Sequence, residues 1–233
     1  MSEEMIVKIV IPSRLGSSRF PNKPLAMING REMILHVCDR ASKAYPVVVA
    51  TPDWQIAQLV RDSGYDAIIT SKDCLTGTDR VAEVAEHIDA DIFVNVQGDE
   101  PLILPKDIQH IVDIKKRMYN NIINGMSLLE QIDNSQNVVK VHQQDGTLIG
   151  MTRVGEGQYK QCGLYAFNRE ELYQYQTLST REKLKSLKEH ENIEILRFID
   201  LGIPVFMTLV NSTPAVDVPD DIKKVMEVIR NGY

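Results

Sequence analysis

The chain has 233 residues, of which 43% are hydrophobic and 25% charged, and this near-average composition excludes collagen, coiled coil and bulk disorder. The net charge of −6 argues against electrostatic binding of the whole protein to nucleic acid or to an anionic membrane. Any site that binds an anion must therefore be local. The N-terminus has neither a basic region nor an apolar segment and no apolar run reaches the length of a membrane span, so we expect a cytoplasmic protein without membrane insertion.

The first hundred residues alternate short apolar runs with segments of helical periodicity. Ile6 to Ile11 is predicted as a buried strand, residues 32–44 as an amphipathic helix, and Pro46 to Ala50 as a second buried strand. The alternation continues through a helix at 53–63, a strand from Ala67 to Thr70, a helix from Thr78 to His87 and a strand from Ile92 to Val96. This order predicts a doubly wound α/β sheet.

The second half begins with a helix from Pro105 to about Met118 and then changes in texture. Strands are predicted at Gly125 to Glu130, Val138 to His142, Leu148 to Arg153, Gly163 to Phe167 and Val205 to Val210. Helices are predicted at Arg169 to Tyr175, Glu191 to Leu201 and Asp220 to Arg230. Because no linker or repeat interrupts the chain, we expect a single domain over residues 1–233 that includes a smaller mixed subregion.

The loop after the first predicted strand, residues 12–24, is called the cationic loop below. It carries three cations, a glycine and three hydroxyls: Arg14, Arg19, Lys23, Gly16, Ser13, Ser17 and Ser18. Ligands of open α/β sheets bind at the carboxyl ends of strands, where backbone N–H groups, Arg and Lys can hold a polyphosphate. The loop matches neither the P-loop nor the dinucleotide motif, and a solvated basic loop is the alternative interpretation.

Two acidic residues are candidate metal ligands. Asp99 follows a buried strand and stands beside Gly98, and Mg²⁺ prefers one or two carboxylates together with substrate phosphates. Asp217 is the candidate second ligand, because the positive end of the last helix explains Asp220 and Asp221 but not Asp217. An ordinary turn remains the alternative for both candidates.

The segment Thr76-Gly77-Thr78-Asp79-Arg80 opens a predicted helix, with Thr78 expected as the N-cap. A capped helix N-terminus beside a nucleotide would suit base or ribose recognition with Arg80 reaching outwards, and a surface arginine is the alternative. The cysteines and histidines show neither metal spacing nor a nucleophile motif. Cys38, Cys74 and Cys162 are therefore expected to be reduced core thiols.

Six motifs occur in this order: Pro12-Ser13-Arg14, Ser17-Ser18-Arg19, Pro21-Asn22-Lys23-Pro24-Leu25, Thr76-Gly77-Thr78-Asp79-Arg80, Gln97-Gly98-Asp99-Glu100-Pro101 and Asp217-Val218-Pro219-Asp220-Asp221. In sequence and order they resemble the motifs of the CMP-3-deoxy-manno-octulosonate (CMP-KDO) cytidylyltransferases, over nearly the whole chain. The resemblance implies a nucleotide-binding α/β fold of the nucleotide-diphospho-sugar transferase type. It also implies dependence on CTP and Mg²⁺, and a homodimer.

Matched residue by residue, the resemblance implies that Arg14 and Lys23 bind the triphosphate and that Asp99 and Asp217 bind Mg²⁺. Arg14, Lys23 and Asp99 are then the expected catalytic residues. The implied nucleotide-binding set is Pro12, Ser13, Arg14, Gly16, Ser17, Ser18, Arg19, Lys23, Thr76, Gly77, Thr78 and Arg80. The implied sugar-binding set is Gln97, Lys160, Gln161, Tyr165, Glu191 and Glu194. Residues of about 1–120 and 200–233 would bind the nucleotide, and about 121–199 would bind the acceptor and form the dimer.

The chain departs from the family pattern in the part expected to bind the sugar. Six residues separate Arg153 from Lys160, where the family has a longer stretch with an Ile-Pro pair. Gln161 stands where the family has a histidine ahead of a Gly-Ile-Tyr sequence. The resemblance thus implies KDO as the acceptor and leaves a related ulosonic acid open.

Three hypotheses of function follow. The first is a cytidylyltransferase that activates KDO for bacterial surface polysaccharide, such as lipopolysaccharide. The second keeps the nucleotidyl transfer and changes the sugar. The third is a nucleotide-binding protein without turnover, which predicts CTP binding but no release of pyrophosphate.

Overall fold

A computed structural model of the chain describes residues 4–16, 19–129 and 137–232. The strands are β1 (Val7–Pro12), β2 (Met27–Ile28), β3 (Arg31–Glu32), β4 (Val47–Thr51), β5 (Asp66–Ile69), β6 (Ile92–Val96), β7 (Ile122–Leu128), β8 (Lys140–Gln144), β9 (Thr147–Thr152), β10 (Tyr159–Asn168) and β11 (Val205–Leu209). The α-helices are α1 (Met33–Ala41), α2 (Trp54–Asp62), α3 (Gly77–Ala85), α4 (Pro105–Arg117), α5 (Arg169–Thr177), α6 (Thr180–Glu189), α7 (Leu196–Asp200) and α8 (Asp221–Arg230).

Nine of these strands form one sheet in the order β5-β4-β1-β6-β10-β7-β11-β9-β8. Strand β1 pairs in parallel with β4 and β6, whereas β10 runs antiparallel to both β6 and β7. The sheet is therefore parallel in the first half of the chain and mixed in the second. This arrangement confirms the predicted fold class.

Helices cover both faces of the sheet because the side chains of each strand alternate between the faces. Ile9 and Ile11 of β1 are fully buried in a cluster with apolar residues of α1, α2 and α4. Val10, between them, belongs to the cluster on the other face, which contains residues of α3, α5 and α7. Burial on both faces explains why the strands of the first half are continuous apolar runs.

The main departures from the predicted elements lie between residues 177 and 201. Helix α6 was not predicted, because its surface is polar and only Ser186 is buried. The helix predicted from Glu191 to Leu201 is present only as α7. Glu191 and Asn192 have φ angles of 52° and 61°, and this left-handed backbone cannot continue a right-handed helix. The strand predicted from Gly125 to Glu130 is β7, and Glu130 lies outside the described residues.

The cysteines only partly match the expectation of core thiols, since Cys38 is buried whereas Cys74 and Cys162 are partly buried. Burial raises the pKa of each thiol to about 12, so all three are neutral near pH 7. In the part of the chain that the structure describes, no helix is both long and apolar enough to cross a bilayer.

Candidate active site

A cavity of about 300 Å³ lies at the carboxyl ends of the neighbouring parallel strands β1 and β6. Its walls are the cationic loop, the start of α3 and the turn after β6. Most of the predicted nucleotide-binding residues line it: Pro12, Ser13, Arg14, Gly16, Arg19, Lys23, Thr76, Gly77 and Arg80. Thr78 is buried beneath the wall, and Ser17 and Ser18 lie outside the described residues.

The cations and carboxylates of the cavity are paired with one another. Lys23 donates from Nζ to Asp99 Oδ2 at 2.6 Å and to the backbone oxygen of Val216 at 2.9 Å. Arg19 Nη2 lies 3.0 Å from Asp217 Oδ1. Arg14 is exposed on the cavity wall and forms no ion pair within the described ranges. Phosphate oxygens entering the cavity would meet three cations, one of them already without a counter-ion.

Asp99 and Asp217 line the same cavity, and the charge of Asp99 disfavours the anion of Asp217. Burial raises the pKa of Asp217, the negative charge of Asp99 raises it further, and Arg19 and Lys23 oppose this increase. Asp221 orients the segment that carries Asp217. Its Oδ2 accepts hydrogen bonds from the backbone N–H of Asp217 at 3.0 Å and of Val218 at 3.1 Å. The two predicted ligands are thus brought together.

The donor set of this pair fits Mg²⁺ held jointly with a nucleotide. Across the described residues, no group of three or more His, Cys, Asp or Glu side chains is arranged to hold a metal by itself. Mg²⁺ keeps several waters and typically takes one or two carboxylates plus substrate phosphates. Asp99 and Asp217, two carboxylates that line one cavity beside the cationic loop, match this donor set and could hold the ion.

The start of α3 corrects two details of the sequence analysis. Thr76, not Thr78, is the N-cap: its side chain accepts from the backbone N–H of Asp79, which reciprocates in a capping box. Arg80 does not reach outwards, because its guanidinium is 3% exposed and donates to the backbone oxygens of Thr76 at 2.9 Å and Cys74 at 3.1 Å. Burial lowers the pKa of Arg80.

Asp79 anchors this helix start to the second half of the chain, a role that sequence reasoning missed. Its Oδ1 accepts from Lys183 of α6 at 3.0 Å and from Arg197 of α7 at 3.1 Å. Although burial opposes the charge of Asp79, the two cations lower its pKa below the usual value. The acidic N3 residue of a capping box was visible in the sequence, but its distant partners were not.

Gln97 and Glu194 connect the first cavity to a second one. Gln97 donates from Nε2 to Glu194 Oε1 at 2.9 Å, and Glu194 Oε2 accepts from the backbone N–H of Thr78 at 3.1 Å. Burial raises the pKa of Glu194. The carboxylate therefore holds two walls in place rather than pointing freely into solvent.

The second cavity has a volume of about 710 Å³ and contains most of the predicted sugar-binding residues: Gln97, Gln161, Tyr165, Glu191 and Glu194. Lys160 lines an adjoining cavity of about 570 Å³ together with Asp99 and Asp217. Gln161 donates to the side-chain oxygen of buried Asn124 at 3.0 Å. Burial raises the pKa of Tyr165 well above its usual value, so its phenol stays protonated.

Arg153 is a cavity residue that sequence reasoning did not include among the site residues. It lies next to Arg19 and Glu191 in the second cavity. Its backbone N–H donates to Glu191 Oε2 at 2.8 Å, and its Nε donates to the backbone oxygen of Glu191 at 3.0 Å. Glu191 thus orients Arg153, whose guanidinium adds a third cation to the lining of this cavity beside Arg14 and Arg19.

Glu100 was likewise missed. Burial raises its pKa to about 7, and the charge of Asp99 adds to this effect. The side chain accepts from the backbone N–H of Gly163 at 3.1 Å and lies 3.4 Å from the Thr213 hydroxyl. It therefore joins the turn that carries Asp99 to β10 and to the segment before α8.

Comparisons with known proteins agree in fold and in family. The sequence model of a family described as cytidylyltransferase matches residues 8–201. A 3-deoxy-manno-octulosonate cytidylyltransferase of Myxococcus xanthus is 40% identical over 241 residues, which cover 95% of each chain. An 8-amino-3,8-dideoxy-manno-octulosonate cytidylyltransferase of Shewanella amazonensis is 34% identical, covering 94% of this chain and 97% of that one. A solved CMP:2-keto-3-deoxy-manno-octonic acid synthetase complexed with CTP superposes with a TM-score of 0.83 at 31% identity, covering 98% of this chain and all of that one (100%).

Proposed function

This chain belongs to the cytidylyltransferase family, and from that premise we propose that it transfers CMP from CTP to the anomeric hydroxyl of the sugar acid KDO. The reaction releases pyrophosphate and forms CMP-KDO. The observation that carries the proposal is the convergence of Arg14, Arg19 and Lys23 with Asp99 and Asp217 at one rim of the sheet.

The chemistry needs positioning and charge neutralisation rather than a protein nucleophile. The hydroxyl oxygen of the acceptor would form a bond to the α-phosphorus and lose its proton to solvent. The bond from the α-phosphorus to the oxygen that bridges to the β-phosphorus would break, and pyrophosphate would leave. Arg14 and Lys23 would bind the triphosphate and stabilise the charge that develops on the departing pyrophosphate. Asp99 and Asp217 would hold Mg²⁺, which when bound neutralises phosphate charge and orients the oxygens.

The remaining site residues are assigned by the cavity that they line. Thr76 and Gly77, with Arg80 supporting them from behind, would face the cytidine, and the buried Thr78 acts through its backbone. The acceptor would occupy the second cavity, where Arg153 is suited to a sugar carboxylate by charge. The implied acceptor contacts are Gln97, Lys160, Gln161, Tyr165, Glu191 and Glu194.

Residues of about 121–199 are proposed to supply both the acceptor site and the contact of a homodimer. The nucleotide would then be bound by about 1–120 and 200–233. The support for this division is that β10 and the segment between α6 and α7 line the second cavity but not the first. Both cavities share the cationic loop and the start of α3.

The test is pyrophosphate release by the purified protein with CTP and Mg²⁺. The acceptors are KDO, 8-amino-3,8-dideoxy-manno-octulosonate, sialic acid and none, and each NTP is tried with KDO. We expect release that depends on both CTP and an octulosonate. CTP binding without release for any acceptor would instead support a nucleotide-binding protein without turnover.

A second candidate acceptor is 8-amino-3,8-dideoxy-manno-octulosonate. It is favoured by the relative of that name, which aligns over 94% of this chain. The acceptor comparison separates the two sugars directly: a kcat/KM for the amino sugar well above that for KDO would replace KDO in the proposal.

Gly98→Ala is expected to reduce kcat/KM for CTP by about tenfold or more, since displacements near 1 Å can cost up to about 100-fold. A Cβ at this position would lie 2.9 Å from the backbone oxygen of Pro12, so the turn carrying Asp99 must move away from β1. The matched control is Gly150→Ala, whose added Cβ meets no atom within 4 Å. Steady-state kinetics on both variants make the comparison, and equal rates would show that the turn has room to adjust.

A further inference from the structure

Asp53 lies outside both cavities but is joined to the cationic loop by a hydrogen bond. Its Oδ2 accepts from the backbone N–H of Leu15 at 2.8 Å. We propose that Asp53 is a positioning residue for the triphosphate, which holds Arg14 and Lys23 in place through the peptide of Leu15. The inference rests on the proposed function, because it concerns the binding of CTP by the same site.

The sheet brings Asp53 to this place. Strands β1 and β4 are paired up to Pro12 and Ala50, and the ladder continues for one step beyond β1, where the N–H of Ser13 donates to the oxygen of Ala50 at 2.9 Å. At the next inward-facing N–H of the loop, Leu15, the carboxylate of Asp53 takes the place of a backbone oxygen. The side chain of Asp53 thus continues the hydrogen-bond pattern of the sheet into the cationic loop.

The side chain of Asp53 does not cap its own helix, α2. It occupies the N-cap position of α2, where an aspartate usually accepts a hydrogen bond from the first turn, but its side chain makes no such bond. Its backbone N–H donates to the hydroxyl of Thr51 at 3.1 Å, which fixes the direction of the residue. The carboxylate is therefore held toward Leu15.

Both backbone groups of Leu15, its N–H and its C=O, are held by hydrogen bonds. Its oxygen accepts from the backbone N–H of Asn22 at 3.2 Å. Asn22 has a left-handed backbone with φ of 57°, a conformation that asparagine tolerates better than most residues, and it immediately precedes the short 3-10 turn that begins with Lys23. The side chain of Leu15 packs against the core cluster beneath α1 and α2.

The carboxylate of Asp53 therefore helps to fix the positions of two cations, Arg14 and Lys23. Arg14 directly precedes Leu15, and Lys23 follows Asn22, the residue that is bonded to the backbone oxygen of Leu15. Loss of the Asp53 acceptor would free the N–H of Leu15 and loosen the spacing between the two charges. Lys23 lines only the first cavity, whereas Arg14 lines both, so the larger effect should fall on the nucleotide.

The experiment compares Asp53→Ala, Asp53→Asn and Asp53→Glu with Asp62→Ala. Asp62 is the matched control, since it lies on the same helix, has the same charge and accepts one surface hydrogen bond from Gln58. The readouts are calorimetric binding of CTP with Mg²⁺, the separate KM values for CTP and acceptor, kcat, and the melting temperature.

For Asp53→Ala we expect CTP binding and kcat/KM for CTP to fall by about tenfold or more, with a smaller change in the KM of the acceptor. Asp53→Asn keeps a side-chain oxygen for the N–H of Leu15 and should stay within about threefold of the wild type. Asp53→Glu keeps the charge but displaces the carboxylate by one methylene, so it should lose affinity for CTP and still fold. Asp62→Ala should match the wild type.

Unchanged CTP binding in a folded Asp53→Ala protein overturns the proposal. If Asp53→Ala does not fold, Asp53→Glu decides: wild-type affinity for CTP in that variant also overturns it. A loss in Asp53→Asn as large as in Asp53→Ala would attribute the effect to charge and remove the positioning role. Because CTP binding is measured without acceptor, a wild type that binds CTP but never releases pyrophosphate refutes the proposed function and leaves this test intact.

Discussion

Asp99→Asn is expected to lower kcat by about 100-fold or more while the protein remains folded, the magnitude typical for the loss of a prepositioned charge contact. Asp99 contacts Lys23 at 2.6 Å and shares its surroundings with Asp217. An amide of the same size keeps the packing but removes the negative charge that pairs with Lys23 and that we propose as a ligand of Mg²⁺. Pyrophosphate release at saturating CTP, with circular dichroism as the check of folding, measures the effect.

The control for this prediction is Asp220→Asn. Asp220 is 83% exposed and pairs with Lys223 at the start of α8, so its loss should cost a few tenths to about 1 kcal/mol of helix stability and leave kcat unchanged. Near-normal turnover in Asp99→Asn would remove Asp99 from the mechanism. An equal catalytic loss in both variants would show that Asp99 has no special role among the acidic residues of this region.

Lys115→Met is expected to lower the free energy of unfolding by about 3–5 kcal/mol, because breaking a buried ion pair leaves the other charge uncompensated. Lys115 is fully buried, and its Nζ donates to both carboxylate oxygens of Glu171 at 2.7 Å. It also donates to the backbone oxygens of Tyr119 at 2.6 Å and Asn121 at 2.8 Å, at the exit of α4. Burial lowers the pKa of Lys115 to about 8 and raises that of Glu171.

Urea unfolding of three variants tests this prediction. In the double variant Lys115→Met/Glu171→Gln, stability should recover in part, because no charge is left buried and the glutamine still accepts from the backbone N–H of Asn168. The exposed neighbour Lys116→Met should stay within about 0.5 kcal/mol of the wild type. A loss under 1 kcal/mol in Lys115→Met would mean that the pair contributes little. Neither Lys115 nor Glu171 lines the two cavities, so kcat of the folded single variant should be unchanged.

Periodicity predicted most of the elements, and the reason lies in burial. Strands β1, β4 and β6 are largely buried on both faces and leave nearly continuous apolar runs in the sequence. The amphipathic helices α1 and α4 leave apolar residues at helical spacing. Helix α6 shows no such apolar pattern, because it buries only one side chain, that of Ser186. Its sequence signal was the capping box of Ser179 and Glu182, which is a weaker and local pattern.

The sequence also predicted most of the residues that line the two cavities, because loops at the carboxyl ends of parallel strands meet at one rim, but it did not predict Arg153. The partners of these residues were found only in the folded chain. It paired Lys23 with Asp99 and Arg19 with Asp217, and it joined residues far apart in the chain, such as Asp53 to Leu15 and Asp79 to Arg197. Hydrogen bonds and ion pairs depend on distances of about 3 Å and on direction, and a linear pattern of residue types does not record them.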